Sequence, residues 1–109
     1  MIKQTFQTYN GFQFELIFDK HGYCLCPVCG EKAKNKDWRP YDENGYPSYD
    51  ICACGFEFGY DDGGEPPFDK SWELYREEWY KGELDFGNSK SLPKKIKDQQ
   101  LDQLLNSEK

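Results

Sequence analysis

Two short cysteine motifs limit what this chain can fold into. The first, "CLCPVCG", contributes Cys24, Cys26 and Cys29, and the second, "CACG", contributes Cys52 and Cys54. A tight turn over "CPVCG" brings two thiols to one side of the chain, and the glycine after the last cysteine permits a left-handed backbone. The two motifs are separated by 22 residues. Four thiolates about 2.3 Å from one ion form the tetrahedral cage of structural zinc, so the sequence predicts a zinc site.

The short spacing of the second motif bears on which thiol is spare. Residues two apart in an extended segment point to the same side, so Cys52 and Cys54 can face one ion if the chain bends at Ala53. The same argument makes Cys24 a rival, because it precedes Cys26 by two residues. Cys24 and Cys52 are thus the two candidates for the spare thiol. The preferred ligands are Cys26, Cys29, Cys52 and Cys54, with Cys24 as the alternative ligand.

A bound metal matters because the core must be modest. The 109 residues predict one domain, 1–109, in which 37% of residues are apolar and 31% are charged. Aromatic residues, 17% of the chain, bury a large area each. Zinc contributes on the order of 10 kcal/mol to the folding of zinc-finger peptides. Iron is the alternative metal, because thiolates bind both.

The N-terminal region 1–19 is predicted to form a β-hairpin, because "TYNGF" contains an Asn-Gly turn signal. A three-residue loop over 9–11, with Gly11 left-handed, places Phe6 opposite Phe14. We prefer it to a two-residue loop because register follows the buried face. The apolar face would then consist of Ile2, Phe6, Phe12, Phe14, Leu16 and Phe18.

A zinc ribbon is predicted over 23–60, with strands at 23–26, 49–52 and 56–60. The only histidine, His21, lies in the turn before it and is expected at the surface. The fold class is therefore α+β: a zinc-ribbon-like antiparallel β-sheet with an N-terminal hairpin and two C-terminal helices.

The helical region 68–106 is predicted to begin with a helix capped by Asp69 or Ser71 and ended by Gly82. A second helix is predicted to begin at Pro93. The predicted buried sides are Trp72, Leu74, Tyr75 and Trp79 in the first helix and Ile96, Leu101, Leu104 and Leu105 in the second.

The net charge of −6 is concentrated in one segment. Residues 61–85 contain three basic and nine acidic residues, a net charge of −6. Such a surface repels nucleic-acid phosphates and suits a basic protein partner. The residues predicted to bind that partner are Glu73, Glu77 and Glu78; a solvated helix face is the alternative.

The sequence also bears on where the protein acts. No secretory signal and no run of eighteen apolar residues is visible, so we expect no membrane association. The odd number of cysteines argues against a complete disulfide framework. Reduced thiols are typical of the cytosol, and a cytoplasmic protein is expected.

A resemblance to known proteins follows from these motifs. "CPVCG" resembles the zinc knuckle of zinc-ribbon and rubredoxin-type proteins. The segment "YDENGYPSYDICACGFEFGYDDGGEPP" with "WELYREEWYKGEL" resembles small bacterial cysteine-rich, CPCC-like zinc-ribbon proteins of unknown function. The resemblance covers roughly residues 24–82 and implies metal binding, but no settled activity. The matching cysteines are Cys26, Cys29, Cys52 and Cys54; the second turn is one residue shorter here.

The hypothesis favoured by these features is a zinc-binding, non-enzymatic protein that binds a protein partner, with an immunity- or antitoxin-like role as one version. One histidine leaves no readable Ser-His-Asp or Cys-His arrangement. The alternatives are a rubredoxin-like iron electron carrier and a nucleic-acid-binding zinc ribbon. The nucleic-acid alternative would use the basic residues Lys32, Lys34, Lys36 and Arg39.

Overall fold

The computed structural model describes residues 2–106 and begins with the predicted hairpin. Strand β1 (Ile2–Gln7) pairs antiparallel with β2 (Gln13–Phe18). Phe6 lies opposite Phe14, which confirms the predicted register. The alternation of apolar residues is sufficient to fix this register, because a one-residue slip would turn the apolar face to solvent.

The hairpin loop is the predicted three-residue loop. The Thr8 N–H donates to the Phe12 carbonyl at 2.8 Å, and the Gly11 N–H donates to the Thr8 carbonyl at 3.1 Å. Gly11 is left-handed, with a φ of 87°. The Asn10-Gly11 pair therefore forms the end of a three-residue loop and not a two-residue turn.

The two faces of the hairpin are covered by different parts of the chain. On the predicted face Phe14, Leu16 and Phe18 are buried, and Phe6 and Phe12 are partly buried against them. Ile2 is 53% exposed, so the prediction is wrong at the start of β1, where the core ends. Ile17, on the opposite face, is buried in a second cluster with Leu25 and Leu104. This second buried face was not predicted.

The segment between the hairpin and the helices lacks the strands predicted at 23–26, 49–52 and 56–60. Within the described residues, isolated antiparallel bridges pair Phe18 with Cys24, Leu25 with Lys32, Tyr41 with Pro47 and Ile51 with Glu57. Continuous ladders cannot form, because tight turns follow each bridge within a few residues. The α+β class, with a hairpin and two C-terminal helices, is confirmed.

Helix α1 (Asp69–Tyr80) buries an aromatic side formed by Trp72, Tyr75 and Trp79, as predicted. Leu74 is 67% exposed, so its predicted burial is wrong. Neither Asp69 nor Ser71 caps the helix: the cap position is Phe68, without a side-chain hydrogen bond. Phe68 is fully buried and stacks on Tyr41 with ring centroids 4.1 Å apart. Packing of this ring therefore fixes where the helix begins.

Helix α2 (Lys94–Leu105) begins one residue after the predicted start, because Pro93 occupies the extended cap position. Leu104 is buried, and Ile96 and Leu101 are partly buried. Leu105 is 56% exposed, which corrects the prediction. No helix among residues 2–106 is long and apolar enough to cross a membrane.

A buried lysine joins the two helices. Lys97 is 4% exposed, and its Nζ donates to the carbonyls of Trp79 at 2.9 Å and Ser89 at 2.6 Å. A third, longer bond reaches the Tyr80 carbonyl at 3.3 Å. The last turn of a helix leaves carbonyls without partners and carries a partial negative charge. The ammonium of α2 therefore caps the end of α1, where Gly82 adopts the predicted left-handed conformation with a φ of 74°.

The motif "FGYDDGG" forms a turn that is anchored in the aromatic core. Asp62 is 3% exposed and accepts hydrogen bonds from the Tyr41 hydroxyl and from the N–H groups of Gly59, at 3.0 Å, and Gly64, at 2.8 Å. The Tyr41 hydroxyl in turn accepts from Trp72 Nε1 at 3.1 Å. Burial and the bond to Asp62 raise the pKa of Tyr41. This network links the turn, the core and α1.

Candidate metal centre

Four cysteine sulfurs converge at the junction of the two cysteine turns. The Sγ atoms of Cys26, Cys29, Cys52 and Cys54 all lie within 4.8 Å of one another. Cys29 Sγ and Cys52 Sγ are 3.7 Å apart. Sulfurs 2.3 Å from a central ion at the corners of a tetrahedron are about 3.8 Å apart. The Cys29–Cys52 pair already has that separation, and the group needs to contract by at most about 1 Å elsewhere to surround one ion.

The four sulfurs differ in exposure. Cys26 is 1% exposed and Cys29 and Cys54 are fully buried, whereas Cys52 is partly exposed. Hydrogen bonding to the Cys26 sulfur, together with burial, holds the pKa of Cys29 and of Cys54 above that of an ordinary thiol. Without a cation, these buried thiols therefore resist forming adjacent thiolates. A divalent ion would supply the charge that stabilises them.

Cys24 lies outside this group. It is fully buried, and its Sγ donates to the Leu25 carbonyl at 3.4 Å. Burial raises the pKa of Cys24 to about 12. The structure thus places Cys24 in the hydrophobic core and brings Cys52 to the other three sulfurs.

The first knuckle is a five-residue turn from Cys26 to Gly30. The Gly30 N–H donates to the Cys26 carbonyl at 2.9 Å, and the Val28 N–H points at Cys26 Sγ at 3.4 Å. Gly30 has a φ of 80°, and a Cβ added there would lie 2.2 Å from the Gln100 carbonyl oxygen. Glycine is therefore required both by the backbone and by the approach of α2.

The second knuckle has only one residue, Ala53, between its two cysteines. The Gly55 N–H donates to the Cys52 carbonyl at 2.8 Å, which closes a four-residue turn over Ala53 and Cys54. This turn supplies the bend that the sequence predicted at Ala53. The turn ends at Gly55, whose φ is 95°, and brings Cys52 and Cys54 into the same group of four sulfurs.

Side chains from the helices hold the first knuckle by its backbone carbonyls. Arg76 of α1 donates from Nε to the Val28 carbonyl and from its guanidinium Nη2 to the Pro27 carbonyl, both at 2.7 Å. Gln100 Nε2 of α2 donates to the Cys29 carbonyl at 3.1 Å. Burial lowers the pKa of Arg76, while the neighbouring Glu73 and the cysteines oppose that change.

The second knuckle is also held by its backbone carbonyls, through α1 and the segment between the helices. The Tyr75 hydroxyl of α1 donates to the Cys54 carbonyl at 3.0 Å, and the Asn88 N–H donates to the Ala53 carbonyl at 2.9 Å. Sequence reasoning missed these contacts. Of these residues, only Arg76 could have been suspected from the sequence, because this cation lies four residues after Trp72 and three before Trp79, on the edge of the buried side of α1.

The other predicted site residues are not part of this centre. His21 is exposed in a turn closed by Asp19. Of the basic residues after the first knuckle, Arg39 lies over the Phe18 ring with its guanidinium carbon 4.4 Å from the centroid. Lys32 lies 4.9 Å from the Tyr23 ring centroid. The acidic residues Glu73, Glu77 and Glu78 are exposed on α1.

An open cleft of about 530 Å³ lies beside the metal centre. Its walls include Cys52, Ala53, Lys34, Trp38 and Asp50. Trp38 Nε1 donates to Asp50 Oδ2 at 2.8 Å, which fixes the indole at the rim. The cleft borders the partly exposed residue Cys52.

Comparisons with known proteins add no assignment, because no family model, curated protein or solved structure matches this chain.

Proposed function

We propose that the protein binds one zinc ion through Cys26, Cys29, Cys52 and Cys54 and that the ion stabilises the fold. The observation that carries this proposal is the convergence of four sulfurs within 4.8 Å. Four sulfurs fill every position around a tetrahedral ion and leave none open for a substrate or water. This arrangement supports a structural, non-enzymatic role for the metal.

The contacts of the two knuckles support the same role. Arg76 and Gln100 bind the first knuckle, and Tyr75 binds the second, so both helices dock on the turns that would carry the ion. A metal that holds the two turns together therefore also fixes the surface on which the helices pack. Because binding and folding are then one process, removal of zinc is expected to unfold the region around the knuckles.

Metal analysis tests this part of the proposal. Protein purified without added metal should contain about one zinc per chain, and a chelator should lower its helical circular dichroism. Cys24→Ala should keep the metal, and Cys54→Ser should lose it. Red protein containing iron would favour the rubredoxin-like electron carrier instead. Retention of zinc by Cys54→Ser together with loss by Cys24→Ala would contradict the proposed ligand set.

We also propose that the outward face of α1 binds a basic protein partner. Glu73, Glu77 and Glu78 are exposed around Leu74, an apolar side chain that is 67% exposed. An apolar residue within a charged rim is typical of a protein interface, and the acidity of residues 61–85 favours a basic partner. An immunity- or antitoxin-like role is one form that this function can take.

Two matched variants test the proposed face. Glu73→Lys with Glu78→Lys changes the net charge from −6 to −2, and so does the control, Glu43→Lys with Asp37→Lys, in exposed loops. In pull-downs from the native host, the relevant partner should bind the wild type and the control but not the α1 variant. Its binding to the wild type should weaken as salt is added. Equal binding of all partners to both variants would show that the face is wrongly chosen.

A further inference from the structure

The four candidate ligands do not have equal access to solvent, and this difference has a chemical consequence. Cys29 and Cys54 are fully buried, and Cys26, although it borders the cleft, is 1% exposed. Cys52 is partly exposed and opens onto the cleft of about 530 Å³. A small solute that enters the cleft therefore meets Cys52, the most exposed of the four cysteines.

A second cysteine sulfur lies close to that of Cys52. Cys29 Sγ lies 3.7 Å from Cys52 Sγ, on the other cysteine turn. Thiols that respond to oxidants are accessible thiolates with a second cysteine close enough to resolve the first oxidation product. Coordination to a metal keeps a cysteine deprotonated. The Cys52–Cys29 pair has the accessibility and the spacing that such a site requires.

We propose that Cys52 is an oxidant-reactive site at which a hydroperoxide converts the Cys29 and Cys52 thiolates into a disulfide. The inference rests on the proposed function, because zinc ligation keeps both sulfurs as thiolates. In the first step the Cys52 sulfur attacks hydrogen peroxide: an S–O bond forms, the O–O bond breaks, and hydroxide leaves and takes up a proton. The product is a sulfenic acid at Cys52.

The Cys29 thiolate then attacks the oxidised sulfur. The S–S bond forms, the S–O bond breaks, and a second hydroxide leaves as water after protonation. Two thiolates have lost two electrons, and one peroxide has become two waters. Only Cys26 and Cys54 remain as thiolates, and two sulfurs are too few to retain the ion of a four-sulfur site. The disulfide thereby couples an oxidant to the loss of the metal and of the fold that it stabilises.

Peptide mapping of the zinc-loaded protein tests the proposal. Trypsin, which does not cleave before Pro40, yields residues 21–32 with Cys24, Cys26 and Cys29 and residues 37–70 with Cys52 and Cys54. Hydrogen peroxide should join these two peptides through Cys29 and Cys52, as located by fragmentation. A chromophoric chelator should record about one zinc released per disulfide. A brief pulse of iodoacetamide without peroxide should label Cys52 before the other three.

Control measurements separate the possible failures. Cys24→Ala should release zinc at the wild-type rate, because Cys24 is buried outside the sulfur group. Dithiothreitol with added zinc should restore the metal. A disulfide confined to residues 21–32, or equal labelling of all four cysteines, would overturn this inference while leaving the zinc centre intact. Failure of the untreated protein to hold zinc would overturn both proposals.

Discussion

Arg76 is the side chain whose removal tests most directly how the helices support the metal centre. It makes two hydrogen bonds of 2.7 Å to the carbonyls of Pro27 and Val28, both in the first knuckle. Arg76→Met keeps the aliphatic stem against the helix and removes both donors. Lys70→Met removes a cation from an exposed position on the same helix and serves as the matched control.

The magnitude follows from these two bonds. A hydrogen bond from a charged donor contributes about 1.5–3 kcal/mol, so two contribute roughly 3–6 kcal/mol before solvent is considered. Arg76 is only partly buried, so in the variant water can form some of the hydrogen bonds that the carbonyls lose. We therefore expect a loss of about 3 kcal/mol in unfolding free energy. Since binding and folding are coupled, apparent zinc affinity should fall roughly a hundredfold. Arg76→Lys, which can satisfy one carbonyl, should lose about half as much free energy.

Competition with a chromophoric chelator measures the affinity, and denaturant unfolding of the loaded protein measures the stability. Lys70→Met should match the wild type in both assays. If Arg76→Met binds zinc within about threefold of the wild type, the carbonyl contacts do not stabilise the first knuckle and the reasoning is refuted.

Three further predictions concern the turns and the core. Gly30→Ala should destabilise the protein in thermal unfolding by more than Gly11→Ala: both are left-handed, which costs about 1–2 kcal/mol, but only Gly30 has backbone atoms within 3 Å of the added Cβ. Equal losses would show that α2 moves aside freely. Tyr41→Phe should cost about 1–3 kcal/mol in denaturant unfolding, because Trp72 loses its acceptor and Asp62 loses a donor; a neutral result would mean that water replaces the hydroxyl. The third prediction concerns the pH dependence of stability. Burial raises the pKa of Asp19, but hydrogen bonds from the N–H groups of Tyr23 and His21 outweigh burial and hold this pKa below its ordinary 3.8. Its contribution to stability is therefore complete above pH 3.8 and is lost as the pH falls through the folded-state pKa. Asp19→Asn should flatten this acid decline in a pH series of melting temperatures, and an unchanged decline would assign it to other carboxylates.

The parts of the fold that follow from short-range patterns were predictable. The hairpin register depends on alternation of residues such as Phe6 and Phe14 around one turn, and the structure confirms it. The aromatic side of α1 follows from helical spacing of Trp72, Tyr75 and Trp79. These features depend on residues a few positions apart, where periodicity determines which side chains share a face.

The parts that depend on distant packing were not predictable. Leu74 and Leu105 are as apolar as their buried neighbours, but no other element among residues 2–106 covers them. Lys97 is buried because the end of α1 offers carbonyls that its ammonium can bind, and nothing in the local sequence indicates this. The prediction of ribbon strands was wrong for a related reason, since the residues between the cysteines form turns and isolated bridges.

The candidate metal centre lies between these cases. Its cysteine types and spacing were readable, and the structure brings together the four preferred sulfurs. For Cys52 the sequence predicted a bend at Ala53 but not the bond from the Gly55 N–H to the Cys52 carbonyl that closes the turn.

Both knuckles are held through main-chain oxygens. The helices bind those of Pro27, Val28, Cys29 and Cys54, and the Asn88 N–H, in the segment between the helices, binds that of Ala53. Such contacts recognise the path of the backbone and are indifferent to the side chains between the cysteines. A substitution at the exposed Ala53 should accordingly be tolerated, whereas an inserted residue should not. Lengthening "CAC" to a two-residue spacing would displace the oxygens that Tyr75 and Asn88 meet. The short spacing is therefore matched to α1 and to the segment that follows it, and restoring the usual spacing would be the more damaging change.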